Sequence, residues 1–339
     1  MGSEKPTAIP TYGGLIHRAD LGMTLMHEHV FTVSPEISIN YPELVGWKPD
    51  RVVIDAVTRL DELTEHGVDT IVDLTVLGLG RRPELVLEVA KHTKLNIVGA
   101  TGAYVMNEIP HALTLRGPSG IFDEPDPLIE LFERDITEGM AGTGIKAAIL
   151  KCVTDRAGLT PGVTRVLEVV AEVHHRTGIP ISTHTHAKKR TGLLQQKVFA
   201  ERGVDLSRVI IGHSGDTDDL GYLEQLLDAG SYLGMDRFGL TPFLSTERRV
   251  ATVATLCARG YADRLVLSHD AACQNDSARP DQRAAAFPDH HYLHISKEVI
   301  PRLRAAGVTD DHLHQMLVLN PAEIFFGPED ATASRAPAG

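Results

Sequence analysis

Eight short β-rich runs alternate with eight segments of helical periodicity, and that alternation constrains the fold more than any other feature of the chain. The runs are residues 24–31, 70–75, 96–101, 147–153, 179–185, 209–213, 231–235 and 265–268. Between them apolar residues recur at helical spacing, as in VVIDAVTRLDELTEHG, VTRVLEVVAEVHHRTG, DDLGYLEQLLDAG and RVATVATLCARG. Gly67, Gly178, Gly230 and Gly260 follow polar last turns, where a left-handed C-cap ends a helix. Strands joined through helices pair in parallel with crossovers, which makes the chain α/β. At 339 residues it can bury one large core, and α/β barrels of this length fold as single domains.

No Pro- or Ser-rich linker divides the sequence. The reading is an N-terminal extension (1–20), one barrel domain (21–326) and a small, polar, proline-bearing tail (327–339) expected to be disordered. Two longer stretches lack periodicity, 106–126 and 270–290. In a barrel they are loops over the active face and should wall the substrate site. A formal net charge of −12 argues against nucleic acid or an anionic membrane as the main partner. Cys152, Cys257 and Cys273 form no CxxC pair, which suits a reducing compartment. With no apolar stretch of signal-peptide or membrane-spanning length, a cytoplasmic location is expected.

Potential metal ligands gather where the predicted strands end. They are His27 and His29 in LMHEHVF, Lys151 in AILKCV, His184 in ISTHTH, His213 in VIIGHS and Asp270 in VLSHD. Residues i and i+2 of a strand share a face, so His27 and His29 can aim two imidazoles at one point while Glu28 turns away. An HxH pair alone is ambiguous, and a lone His or Asp after a strand is more often a hydrogen-bonded loop residue. Five strand ends carrying such residues together are not explained that way. Ligands delivered from the carboxyl ends of several strands are how a (β/α)8 TIM barrel builds an active site. A doubly wound sheet would not bring these strands to one centre.

Lys151 is the informative member of the set. An ammonium has three donors and no lone pair, so beside two cations it must be neutral or carry a group that makes it an anion. A carbamate formed with carbon dioxide would supply two oxygens to bridge two metals; the functional rival, a Schiff-base lysine, gains nothing from surrounding histidines. His66, His92, His174, His175, His312 and His314 lie on helical segments and read as surface residues. His186 shares a face with His184 if the strand continues, as a supporting group, a substrate-facing group or an alternative ligand.

The segments TLMHEHVF, GIKAAILKC, IPISTHTHA, RVIIGHSGDTDDLGYLEQLLDAGSYLGMDRFG and LVLSHDA resemble the phosphotriesterase family of the amidohydrolase superfamily, and most closely its phosphotriesterase-like lactonases. The resemblance runs from about Leu21 to Phe326. It implies a (β/α)8 barrel, usually a homodimer, holding two divalent metal ions, zinc foremost, with cobalt, iron or manganese as alternatives. Motif matching gives His27, His29 and Asp270 to the buried metal and His184 and His213 to the exposed one, bridged by Lys151 as N6-carboxylysine and by a hydroxide. Tyr104 in GATGAYV and Arg237 in GMDRFG are similar to substrate-site residues of that branch; their bland readings are a half-buried aromatic and a surface cation paired with Asp236. The chain departs from the family after DRFG, where it reads LTPFL, and in its eighth loop, which has no tryptophan.

The expected chemistry is hydrolysis by a metal-bridging hydroxide, with Asp270 taking its proton. The expected substrate is a small-molecule lactone, foremost an N-acyl-homoserine lactone, which would make the protein quorum-quenching. Phosphotriesterase activity would be a side reaction. The alternatives are a primary aryldialkylphosphatase, another amidohydrolase such as a deaminase or amidase, and a non-catalytic metal-binding protein. A structural site would close the position that this ligand set leaves open.

Overall fold

The sequence patterns become a closed barrel with one broken stave. The computed structural model describes residues 6–118 and 120–328. Its strands are β1 (Ala8–Thr11), β2 (Gly14–His17), β3 (Thr24–Thr32), β4 (Thr70–Asp73), β5 (Asn96–Gly102), β6 (Ile149–Thr154), β7 (Ile181–Thr185), β8 (Val209–Ile211), β9 (Tyr232–Met235), β10 (Leu265–Leu267) and β11 (Ala272–Asn275). Strands β3 to β11 form one parallel sheet in the order β10-β9-β8-β7-β6-β5-β4-β3-β11. β10 and β11 are two parts of the eighth stave. The first pairs with β9, and after a break at 268–271 the second pairs with β3. Across the break Asp270 N–H donates to His27 O at 3.0 Å and His29 N–H donates to Ala271 O at 2.9 Å, so the sheet closes on itself. The architecture is a (β/α)8 TIM barrel in a single domain.

Parallel strands covered on both faces read as nearly continuous apolar runs. Leu25, Ile71, Ile97, Leu150 and Leu233 pack outward with the surrounding helices, while Met26, Val72, Val98, Ile149, Ile210, Tyr232 and Val266 fill the interior. The helix before Gly178 shows the local logic. Thr160 caps its first turn by accepting from Val163 N–H, Pro161 supplies a preset φ, and Gly178 ends it at φ 73°. Gly67, Gly230 and Gly260 also have positive φ.

Three features depart from the sequence reading. The presumed N-terminal extension folds as the β1–β2 hairpin, whose Tyr12 N–H donates to Ile97 O at 2.9 Å. Its Ile9 and Ile16 join the interior cluster together with Phe325 and Phe326. The eighth-loop stretch contains β11, hidden because it is only four residues long. His174 is buried, its ring bonded to Ile179 O at 2.7 Å, because helical periodicity places residues on faces without saying which polar ones a neighbour will cover. The predicted disordered tail lies outside the described residues from 329 onward. Among the described residues no helix is long and apolar enough to cross a membrane.

Candidate metal centre

A slip in one strand turns the two N-terminal histidines toward the barrel interior. The β3–β4 register shifts between Leu25 and Glu28, as at a β-bulge. Met26 therefore packs in the interior and its neighbour His27 also faces inward, with His29 beside it and Glu28 directed outward. The other chemistry comes from the same end of the barrel: Lys151 from β6, His184 from β7, and His213, Arg237 and Asp270 from just beyond β8, β9 and β10. His213, Arg237 and Asp270 all adopt left-handed backbone, with φ of 58°, 63° and 58°. Non-glycine residues held there cost on the order of 1–3 kcal/mol each, and such strain gathers at functional sites. All six predicted ligands, with Tyr104 and Arg237, line one cavity of about 300 Å³.

Behind the imidazoles stands a set of acceptors that fixes which ring nitrogen faces inward. Asp236 receives His27 Nδ1–H at 2.9 Å and His213 Nδ1–H at 2.8 Å, one carboxylate orienting two rings. Thr75 donates its hydroxyl hydrogen to Asp73 at 2.5 Å, so its oxygen accepts from His29 Nδ1–H at 2.9 Å. Asp155 accepts from His184 Nε2–H at 2.7 Å. Every inward nitrogen is then a lone pair. Burial, ahead of the electrostatic contributions, lowers the His27 pKa to about 4 and depresses those of His184 and His213, which keeps these rings in the neutral state that binds metal.

Inward ring nitrogens and a carboxylate oxygen converge closely enough to share one cation. His213 Nε2 lies 2.9 Å from His184 Nδ1, and His29 Nε2 lies 3.1 Å from Asp270 Oδ1. Two ligand atoms on a tetrahedral zinc, each about 2.0–2.1 Å from it, are roughly 3.3 Å apart. Among the described residues, His27, His213 and Asp270 bring their ligand atoms within 4.8 Å of one another and could hold a metal ion. Burial would raise the Asp270 pKa, but its surroundings, His27 and His213 foremost and the Arg237 guanidinium among them, hold it well below the usual carboxylate range. Asp236 is held low against the same burial by His213 and His27.

Lys151 is 1% exposed. Its Nζ sits 3.1 Å from both His27 Nε2 and Thr183 O, with no carboxylate partner among the described residues. Burial lowers its pKa to about 8, with Asp270 and Asp236 opposing. A buried ammonium lacking an ion-pair partner is costly, whereas an anionic derivative beside cations is not. The residues present therefore fit a divalent metal centre.

Sequence reasoning missed the supports. Asp236 stands at the end of β9, a position the strand-end rule could have marked, but it read as the partner of Arg237. Arg237 instead donates to Asp270 and Asp216, each at 2.9 Å, and lies 4.9 Å from the Phe243 ring centroid. Buried Arg249 grips the other oxygen of Asp216 at 2.7 Å. Glu28 accepts from His269 N–H and Nδ1–H and from Ala271 N–H at 2.8–2.9 Å, clasping the residues on either side of Asp270. Tyr104 stands edge-on to His184, ring centroids 5.4 Å apart, and burial raises its pKa. His186 does not line this cavity; it accepts from Arg156 at 3.1 Å and faces a neighbouring one.

Comparison with known proteins agrees with this construction. The chain is 56% identical to the phosphotriesterase homology protein of Mycobacterium tuberculosis over 315 residues, 93% of this chain and 96% of that one. A solved structure of the phosphotriesterase from that organism superposes with a TM-score of 0.92, covering 94% and 98% of the two chains. The aryldialkylphosphatase of Saccharolobus solfataricus is 35% identical over 312 residues, 91% and 96% of the two chains. A protein whose organophosphate hydrolysis activity was engineered from a weak promiscuous lactonase template is 33% identical with a TM-score of 0.84, over 94% and 99%. The model of the phosphotriesterase family matches residues 7–325, and the chain belongs to that family of hydrolases.

Proposed function

We propose that this chain is a lactonase working with two divalent metal ions, zinc foremost, on N-acyl-homoserine lactones and related γ- or δ-lactones, with phosphotriester hydrolysis as a side activity. The observation that carries this reading is the company kept in the cavity. A protonated phenol, Tyr104, and a clamped guanidinium, Arg237, stand on the rim of a space of about 300 Å³ whose floor is the ligand set. The relatives described as a lactonase template and as an aryldialkylphosphatase support the two activities together.

Held by His27, His29, His184, His213, Asp270 and Lys151 as its N6-carboxylate, the ions would supply hydroxide near neutral pH and polarise the scissile carbonyl. Asp270, ionised and fixed by Arg237, accepts the proton of the attacking water. Tyr104 orients the ring and gives its proton to the alkoxide released when the ring C–O bond breaks, leaving a hydroxy acid. A phosphotriester with a good leaving group needs no such donor. Both substrate classes are to be assayed on one preparation of known metal content, across lactones of varied acyl length. The expected result is a kcat/KM for the best lactone at least about tenfold above that for an aryl dialkyl phosphate, since this ratio reports which transition state the site fits. The reverse order would make the chain a primary phosphotriesterase.

A further inference from the structure

Two guanidinium groups line the metal cavity, and only one is neutralised. Arg237 lies between Asp270 and Asp216. Arg283, from the short helix Pro280–Ala286 of the eighth loop, has no carboxylate partner among the described residues. Its contacts are the Ser277 hydroxyl at 3.3 Å, His290 Nδ1 at 2.8 Å and the Phe287 ring at 6.0 Å. Those two hydrogen bonds use two of its five N–H donors.

Arg283 is held in place. His290 is buried, and its Nε2–H donates to His269 O at 2.7 Å. This fixes the tautomer, so Nδ1 is an acceptor and receives the Arg283 N–H. A protonated His290 would turn a second donor toward the guanidinium, which the 2.8 Å contact forbids. The guanidinium is thus tied, through His290, to the residue before Asp270. It also stands at a junction: Arg283 lines both the metal cavity and a second cavity of about 280 Å³ between the eighth loop and the helix carrying Arg59. Of the carboxylates in these walls, Asp270 acts on Arg283 through its field but is itself bonded to Arg237, Asp276 accepts from Ser34 N–H at 3.1 Å, and Glu62 lines the second cavity; none forms an ion pair with Arg283.

A half-buried, preorganised guanidinium with spare donors and no carboxylate in ion-pair contact favours an oxyanion, which it can bind through two parallel hydrogen bonds. We infer that Arg283 forms an anion-binding subsite, holding the distal carboxylate or a comparable oxyanion of a substrate whose ester reacts at the metal centre. The inference rests on the hydrolase reading and deepens it by naming the charge of the substrate's far end.

The test uses two γ-lactones with side chains of equal length, one ending in a carboxylate and the other in a primary amide, on metal-loaded wild type, Arg283→Gln and Arg283→Lys. The wild type should prefer the carboxylate by about tenfold or more in kcat/KM. Arg283→Gln should erase that preference while leaving the amide lactone within about threefold, and Arg283→Lys should keep part of it, diminishing as salt is raised. Equal turnover of the two lactones by the wild type, or an unchanged preference in Arg283→Gln, would overturn the subsite. Calorimetry of hexanesulfonate binding to the same metal-loaded proteins tests it without turnover. Weakening by about tenfold in Arg283→Gln supports the subsite even if neither lactone is hydrolysed, in which case the lactonase reading alone fails. Equal sulfonate affinity in wild type and Arg283→Gln contradicts it.

Discussion

On the floor of the cavity the ligands are backed by other buried groups: Asp236 behind His27 and His213, Thr75 and Asp73 behind His29, and the Glu28 clasp around Asp270. The walls are built differently. Tyr104, Phe243, Ser277 and Arg283 come from connecting segments, and Phe243 is 41% exposed. The floor is a network in which removing one member strands a partner in low dielectric. The walls are side chains that can change while the floor stays. Floor substitutions should therefore change metal content and both hydrolytic activities together, and wall substitutions should change the ratio of activities at constant metal.

The largest effect tests the floor as a whole. Chelation, or Lys151→Ala, should remove metal and reduce both activities to background, with a divalent ion restoring only the chelated wild type; added short carboxylic acids should partly rescue the alanine variant. Full activity with two metals in Lys151→Ala would break the account of that lysine. Next, Asp270→Asn keeps the shape and removes the charge that receives the proton. A drop in kcat of about 10²–10³-fold on lactone and phosphotriester alike is expected. A drop confined to one substrate would move Asp270 from the floor to the walls.

Asp236→Asn tests the support. It leaves His27 and His213 with a weaker acceptor and should lower metal affinity by about 10–100-fold, read by competition with a chromogenic chelator. Unchanged affinity would show that the backbone alone sets the two rings. On the wall, Tyr104→Phe should cost the lactone reaction roughly tenfold or more, as for one hydrogen bond of about 1–3 kcal/mol, and the phosphotriester reaction much less. Equal losses, or a fall in bound metal, would make Tyr104 part of the floor. The smallest effect is Phe243→Ala, which removes the aromatic face against Arg237. A cation–π contact of about 0.5–1 kcal/mol predicts a change of only a few-fold in lactone kcat/KM at constant metal content.

The same division governs what the sequence made legible. The barrel could be read because eight strands and helices repeat, and the starts of the predicted strands fall at or within two residues of those observed. The floor ligands stood out because strand ends are positions with a fixed direction. The supports did not, since Asp236, Asp155 and Thr75 are ordinary residues whose role depends on which ring lies across the barrel, up to 209 positions away for Asp236 and His27. The bulge that turns His27 and His29 inward left no signal in LMHEHVF, because the i, i+2 rule gives their common face but not which face. Arg283 was invisible for a related reason: an arginine in a polar loop says nothing about lacking a counter-ion until every carboxylate around it has a position.

The central claim is that six residues from five staves hold two metal ions joined through a modified lysine. Anomalous diffraction from crystals of the metal-loaded protein, recorded on either side of the metal absorption edge, tests it most directly. The account predicts two metal peaks, one among His27, His29 and Asp270 and one beside His184 and His213, with carbamate density extending from Lys151 Nζ between them. A single peak, or an unmodified Lys151 beside two metals, would contradict it.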